Sequence, residues 1–261
     1  MLTAEQLQSI MPRLSDKRNS ELLPFLAAAM AEFAIEAPAR AAAFLAQLAH
    51  ESGQFRFMEE IWGPTAAQRR YEPVTKLSQA LGNTDVGDGN RFKGRGPIQL
   101  TGRANYQRFG DLLRVDLLTD PPRAASPDVA FRVAGLFWSK KGLNELADMA
   151  TPEAFKEITK RINGGTNGLA ERQALYAVAR KVLGVADAPR LPGGTRGAAP
   201  IPADEPTFER GWEAIRAHAR QRPRRKTKKG APKRVGKSSP RKKATLKART
   251  RKALRSSKKK R

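Results

Sequence analysis

The chain has 261 residues with 50 Lys+Arg against 25 Asp+Glu, two His and no Cys, a net charge of +25. That length allows one good domain plus an appendage. The missing cysteine excludes disulfides and thiolate metal sites, so packing alone must hold the fold. The charge has an address: residues 220–261 carry 22 Lys+Arg and no acid, whereas residues 1–189 carry 24 against 21.

The N-terminus, "MLTAEQLQSIMPRLSDKR", lacks a basic start followed by an unbroken apolar core, so no secretory signal is read there. Leu22, Phe25, Leu26, Ala29, Met30 and Phe33 recur at three- and four-residue steps, which predicts one buried helical stripe. Glu32, Glu36, Pro38 and Arg40 interrupt the apolar region 24–49, which argues against a membrane span. Pro38 allows a new helix whose stripe is Ala42, Leu45, Ala46 and Ala49, with Gly53 as its C-terminal stop. Residues 81–106, "LGNTDVGDGNRFKGRGPIQLTGRANY", hold six glycines and read as loop and turn, with "PIQLT" as a candidate short strand. A loop of that length inside a domain is usually functional. Further helical stripes run through Val129, Val133, Leu136 and Phe137 and through Leu175, Val178, Ala179 and Val182. After Leu183 comes a Pro/Gly/Ala linker in which Phe208, Trp212, Ile215 and Ala219 make one short amphipathic helix. The final basic stretch has too few large apolar residues to fold alone.

Glu51 lies at the end of the second stripe, and Glu59 and Glu60 follow past a glycine turn. Two carboxylates across a groove are what glycosidic hydrolysis needs, one to protonate the leaving oxygen and one to act on water or carbon. Acidic pairs are also common on solvated helix faces, and His50 is more often a structural side chain than a base. With two histidines the usual zinc set cannot be assembled, and "NTDVGDGN" lacks the spacing and terminal glutamate of a calcium loop. Neither a phosphate-binding loop nor a serine elbow is present. Gln99, Thr101, Asn105, Tyr106, Asn163 and Arg172 are polar groups suited to a groove for N-acetylated sugars, which present donors and acceptors but no charge. Gly164 and Gly165 of "INGGTNG" permit close backbone approach, or simply end a helix.

In order along residues 1–185, "AHESG", the "EE" ending nine residues after Glu51, "GRGPIQLTGRANY", and "INGGTNG" followed by "ERQALY" resemble the family 19 glycoside hydrolases. Within that family the chain looks closest to compact bacterial and phage lytic forms. The resemblance implies a mainly α, lysozyme-like α+β domain with a two-lobed substrate cleft over residues 1–187. A linker over 188–219 and a disordered basic tail over 220–261 complete the expected organisation. It also implies Glu51 as general acid and Glu60 as the base on water, with Glu59 the competing candidate. Thr101 falls where the family holds that water, and Gln99, Asn105, Tyr106, Asn163 and Arg172 fall at groove or site-supporting positions. The family inverts at the anomeric carbon. The acid must stay protonated while the base stays ionised, so Glu51 is expected in an apolar wall and Glu60 in a wetter one near Thr101.

No cofactor and no metal are expected. The expected substrate is peptidoglycan, with chitin as the alternative. The expected setting is synthesis in the cytoplasm and action on the cell wall after release or non-classical export. A monomer without an integral membrane segment is expected. In the tail, Arg224, Arg225, Lys226, Lys228, Lys229, Arg241, Lys242 and Lys243 suit a polyanion bound by counterion release. Anionic envelope polymers such as lipopolysaccharide lead, and nucleic acid is the rival; few aromatics interleave the charges, so base stacking is not expected. A polyanion-binding protein with an inactive glycosidase domain is the reading from another class.

Overall fold

The computed structural model describes residues 1–186; the amphipathic segment 208–219 and the basic tail, including its eight singled-out Arg and Lys residues, lie outside the described residues. The described chain is helical throughout: α1 (Ala4–Ile10), α2 (Asp16–Glu32), α3 (Pro38–Ser52), α4 (Lys76–Leu81), α5 (Asp88–Arg91), α6 (Arg103–Leu113), α7 (Pro127–Lys140), α8 (Leu143–Asp148), α9 (Pro152–Asn163) and α10 (Leu169–Val182). Short 3-10 turns lie at Gln68–Tyr71 and Pro121–Ala125. No strand forms among the described residues; only the isolated bridges Glu59–Arg95 and Arg95–Leu100 occur. The strand expected at "PIQLT" is instead a tight turn, because Gln99 takes a left-handed backbone (φ +58°) that breaks the extended run. No helix among the described residues is long and apolar enough to cross a membrane.

Local chemistry sets the helix ends. Thr3, Ser15, Thr75 and Thr151 cap α1, α2, α4 and α9 by accepting from backbone N–H groups. Pro38, Pro127 and Pro152 open α3, α7 and α9, where the missing N–H costs nothing. Gly53 ends α3 in the left-handed region, and Gln54 and Phe55 continue there (φ +63° and +60°). Ser52 fastens this reversal: its Oγ donates to Leu48 O at 2.7 Å and accepts from the Phe55 N–H at 2.7 Å.

The core sits around α3, which is buried without a break from Ala41 to Ala49. Its alanines let neighbours approach closely, and α3 packs mainly on α10 while α2 packs on α7. Phe44 meets Trp138 edge-on at 5.2 Å, and Phe55 meets Phe131 at 5.1 Å; each such side chain contributes roughly 1.5–3 kcal/mol by burial. The stripes expected on α3 and α7 are all buried. On α10 the buried face is Arg172, Tyr176 and Ala179, and Val178 points outward at 42 % exposure. On α2, Phe25 is likewise partly exposed. A second, smaller apolar cluster of Tyr71, Leu77 and Leu81, with Trp62 against it, belongs to the lobe between α3 and α6.

Candidate active site

Glu51 stands on the last turn of α3, and what faces it is a cation rather than the expected apolar wall. Arg172, 2 % exposed at the start of α10, donates from Nη2 to Glu51 Oε1 at 2.7 Å. Its Nη1 donates to Gln47 Oε1, and its Nε donates to Asn167 O at 3.3 Å. Gln47 lies one helical turn before Glu51 and passes the link on by donating to Thr159 Oγ1 of α9 at 2.8 Å. The "INGGTNG" turn thus supplies a backbone acceptor, which Asn163 Nδ2 also engages at 3.2 Å. Asn163 is 8 % exposed, so it braces this turn from within. His50 sits 3.1 Å from Glu171 Oε2 by its Nδ1. Burial, then the Arg172 charge, holds the His50 imidazole below its ordinary pKa, against the pull of Glu51 and Glu171. The ring fills the space where any side chain at Gly168 would go, with Nε2 only 2.6 Å from a Cβ placed there.

Glu60 is held by different means. After the reversal at residues 53–55 the chain runs beside residues 94–96: Glu60 N–H donates to Gly94 O at 2.8 Å and Gly96 N–H to Met58 O at 2.8 Å. Arg95 and Leu100 exchange both backbone bonds, at 3.0 and 2.7 Å. The half-buried Glu60 carboxylate accepts one neutral donor on each oxygen, Gln68 Nε2 on Oε1 at 3.0 Å and Gly94 N–H on Oε2 at 3.1 Å. Glu59 is engaged elsewhere: its Oε1 takes Arg95 Nε at 3.0 Å and Lys93 Nζ at 3.2 Å. Among the described residues, two cations on Glu59 and none on Glu60 separate the two neighbouring acids chemically.

The remaining expected groove residues are mostly beneath the surface. Tyr106 is fully buried, donates to Lys93 O at 2.6 Å and accepts from Arg95 Nη1 at 2.9 Å. Burial pushes its phenol well above the ordinary value, Arg95 opposing. It therefore stiffens the Lys93–Arg95 run instead of touching a sugar. Thr101, 1 % exposed, donates from Oγ1 to Gln99 O at 2.8 Å, and Asn105, on α6 rather than in a loop, donates to Thr101 O at 2.7 Å. Gln99 is half-buried, with Nε2 on Gly96 O at 2.9 Å. Gly94 is the hinge of this corner: a Cβ there would lie 2.7 Å from Gln99 Oε1 and 3.3 Å from Thr101 Oγ1. Glu60, Gln99 and Thr101 are therefore gathered around one glycine.

Sequence reasoning missed two residues, Gln47 and Gln68, each 1 % exposed. Gln47 carried a legible signal, a lone amide four residues before Glu51 in an otherwise alanine- and leucine-rich helix. Gln68 carried none.

Comparison with known proteins agrees with this architecture. The family profile described as "Chitinase class I" matches residues 25–183. A glycosyl hydrolase family 19 domain-containing protein of Haemophilus influenzae is 37 % identical over 158 residues, covering 52 % of this chain and 76 % of that protein. An endochitinase of Arabidopsis thaliana is 41 % identical over 126 residues, covering 48 % of this chain but only 39 % of its own length. The fold is that of chitinase C from Streptomyces griseus HUT6037, with TM-score 0.53, 24 % identity, and coverage of 70 % of this chain and 92 % of that one. With the two glutamates on their separate supports and the profile spanning most of the described helices, the chain belongs to the family 19 glycoside hydrolases, a family of glycosidases.

Proposed function

We propose that the chain is an inverting hydrolase of β-1,4 bonds in N-acetylated glycans, with Glu51 as general acid and Glu60 as general base. The observation that carries this reading is the contrast in how the two carboxylates are held. Arg172 engages Glu51 on Oε1 and so fixes how the carboxyl is turned, which leaves Oε2 as the oxygen to meet the leaving group. Glu60 receives one neutral N–H on each oxygen, which fixes the orientation of the carboxylate. Gln99 stands beside Glu60 at Gly94, braced from beneath by Thr101 Oγ1 on its carbonyl, which suits a held water. Inversion requires that water on the face of the sugar opposite the acid.

Peptidoglycan is the proposed glycan. The likeness to a bacterial protein covers most of that protein's length, whereas the Arabidopsis endochitinase shares only part of its own. The basic segment 220–261 would concentrate such an enzyme on anionic envelope polymers such as lipopolysaccharide, with salt-sensitive affinity. We place its action at the cell wall, as a monomer. Chitin is the second reading, favoured by the names of the plant relatives and of the Streptomyces neighbour.

The test is incubation with purified peptidoglycan and with chitin oligomers, mass identification of new reducing ends, and NMR of the first anomer released. Reducing ends from peptidoglycan in inverted configuration support the proposal. Products from chitin alone replace the substrate, and none from either favours a polyanion-binding protein. Glu51→Gln should cut turnover by at least about 10³-fold, the upper range for removing a positioned acid, while the circular dichroism spectrum and melting temperature stay near those of the parent.

A further inference from the structure

Gln68 lies outside every motif that marks the family in this sequence, yet its side chain is saturated. Its Oε1 accepts the N–H of Thr65 at 2.8 Å and of Gly63 at 3.4 Å; its Nε2 donates to Ile61 O at 2.8 Å and to Glu60 Oε1 at 3.0 Å. Its own N–H donates to Thr65 Oγ1 at 3.2 Å. An amide's orientation is fixed by its partners. Two backbone N–H groups donate on one side and require an oxygen there, so the NH₂ is locked toward Glu60. The turn that carries Gln68 is itself anchored, since Arg69 N–H donates to Thr65 O at 3.0 Å and Tyr71 packs with Trp62, Leu77 and Leu81.

We propose that Gln68 is a positioning residue for the general base: it fixes Glu60 against Gly94 and, by offering only a donor, keeps it ready to take a proton. This rests on the reading of Glu60 as the base. Two hydrogen bonds, one per oxygen, stop rotation of the carboxylate about its last bond and leave each oxygen a further lone pair for water. A donor that cannot accept disfavours a proton on the facing oxygen. The small lobe's apolar cluster thereby acquires a purpose in the reaction, because it holds the turn that holds the amide.

A rival role, that Gln68 merely staples the loop 61–68, is separated by Gln68→Glu. That variant keeps the shape and the acceptor facing Thr65 and Gly63 but turns a carboxyl oxygen toward Glu60. A mere staple loses its bond to Ile61 O, which lowers stability without moving the titration of residue 60. Under the proposal two carboxyls now share a proton, and the upper of their two titration steps rises. The acid limb of the kcat/KM profile should therefore move up by one pH unit or more, with KM within twofold. In ¹³C NMR, the carboxyl resonance of residue 60, assigned by its loss in Glu60→Gln, should titrate at higher pH in the variant than in the parent. An unmoved limb together with an unmoved resonance overturns the proposal. If the parent hydrolyses neither glycan, the hydrolase reading fails, and the resonance alone still decides the role of Gln68. Should Gln68→Glu fail to fold, Gln68→Met removes the donor without adding charge. It should lower kcat about tenfold at unchanged KM, and a change confined to KM would overturn the proposal.

Discussion

Glu51 and Glu60 stand on different kinds of ground. Glu51 ends a helix buried from Ala41 to Ala49, and its partner Arg172 comes from 121 residues further along the chain. Glu60 hangs from a lobe whose apolar cluster is three buried side chains and one tryptophan, stitched by backbone bonds to residues 94–96 and by Gln68. The first carboxylate is placed by the core and cannot move without it. The second is placed by polar contacts over a modest apolar base, so its surroundings should yield to smaller perturbations. The two carboxylates are thus positioned by separable devices, and substitutions should act on one without the other.

The largest expected effect is on the helix side. Arg172→Met keeps much of the bulk but leaves Glu51, Gln47 Oε1 and the Asn167 carbonyl without their guanidinium. Breaking a buried charge network costs on the order of 3 kcal/mol, which for a domain of this size lowers the melting temperature by roughly 6–12 °C. Turnover, assayed well below that melt, should fall about 100-fold or more, comparable with losing a positioned acid. A large fall in melting temperature with full turnover would make Arg172 a purely structural post and undo the proposed role of Glu51.

On the lobe side the expected effect is on chemistry more than on stability. Gly94→Ala places a methyl 2.7 Å from Gln99 Oε1, the far end of a flexible side chain that can swing away. Stability should change by under about 1 kcal/mol, while displacement of Gln99 from the corner beside Glu60 should cost about tenfold in kcat, the scale of a misplaced supporting group. Gly63→Ala is the control, since nothing lies within 4 Å of a Cβ there, and it should be silent in both assays. Equal effects from the two would show that the lobe is merely sensitive to substitution.

The helix side was also the more legible in sequence. Period-3.6 spacing located α3 and α7 because their buried faces are apolar, and Gly53 marked the end of α3 because only a left-handed residue closes that turn. On α10 the same reasoning chose Val178, which faces solvent, because the real inner face carries the buried Arg172 and is not apolar. The glycine-rich segment looked like groove lining, yet Thr101, Asn105 and Tyr106 are spent on holding their own turn. Polarity in sequence does not distinguish a side chain that meets ligand from one that meets backbone. Glu59 and Glu60 were likewise inseparable by type; Lys93 and Arg95, more than thirty residues away, separate them.

The smallest expected effect probes the lobe's electrostatic clamp. Asp88, 2 % exposed, accepts from Arg103 Nε at 2.7 Å and Nη2 at 2.6 Å, and from the N–H groups of Thr84 at 2.9 Å and Asp85 at 3.1 Å. Burial alone would push its carboxyl up, but the Arg103 bond and these backbone donors prevail and hold it below the usual range. A folded value below the unfolded one means stabilisation that is present above about pH 4, the unfolded aspartate range, and is lost as pH falls through the folded value. Asp88→Asn should therefore melt a few degrees lower than the parent at pH 7, with the gap narrowing below pH 4. Amide exchange at pH 7 should quicken in residues 76–92 of the variant and stay slow in α3. A gap constant with pH would remove the ionic origin of the effect. Exchange quickening equally in α3 would show that lobe and core unfold as one, and Glu51 and Glu60 would then share a single support.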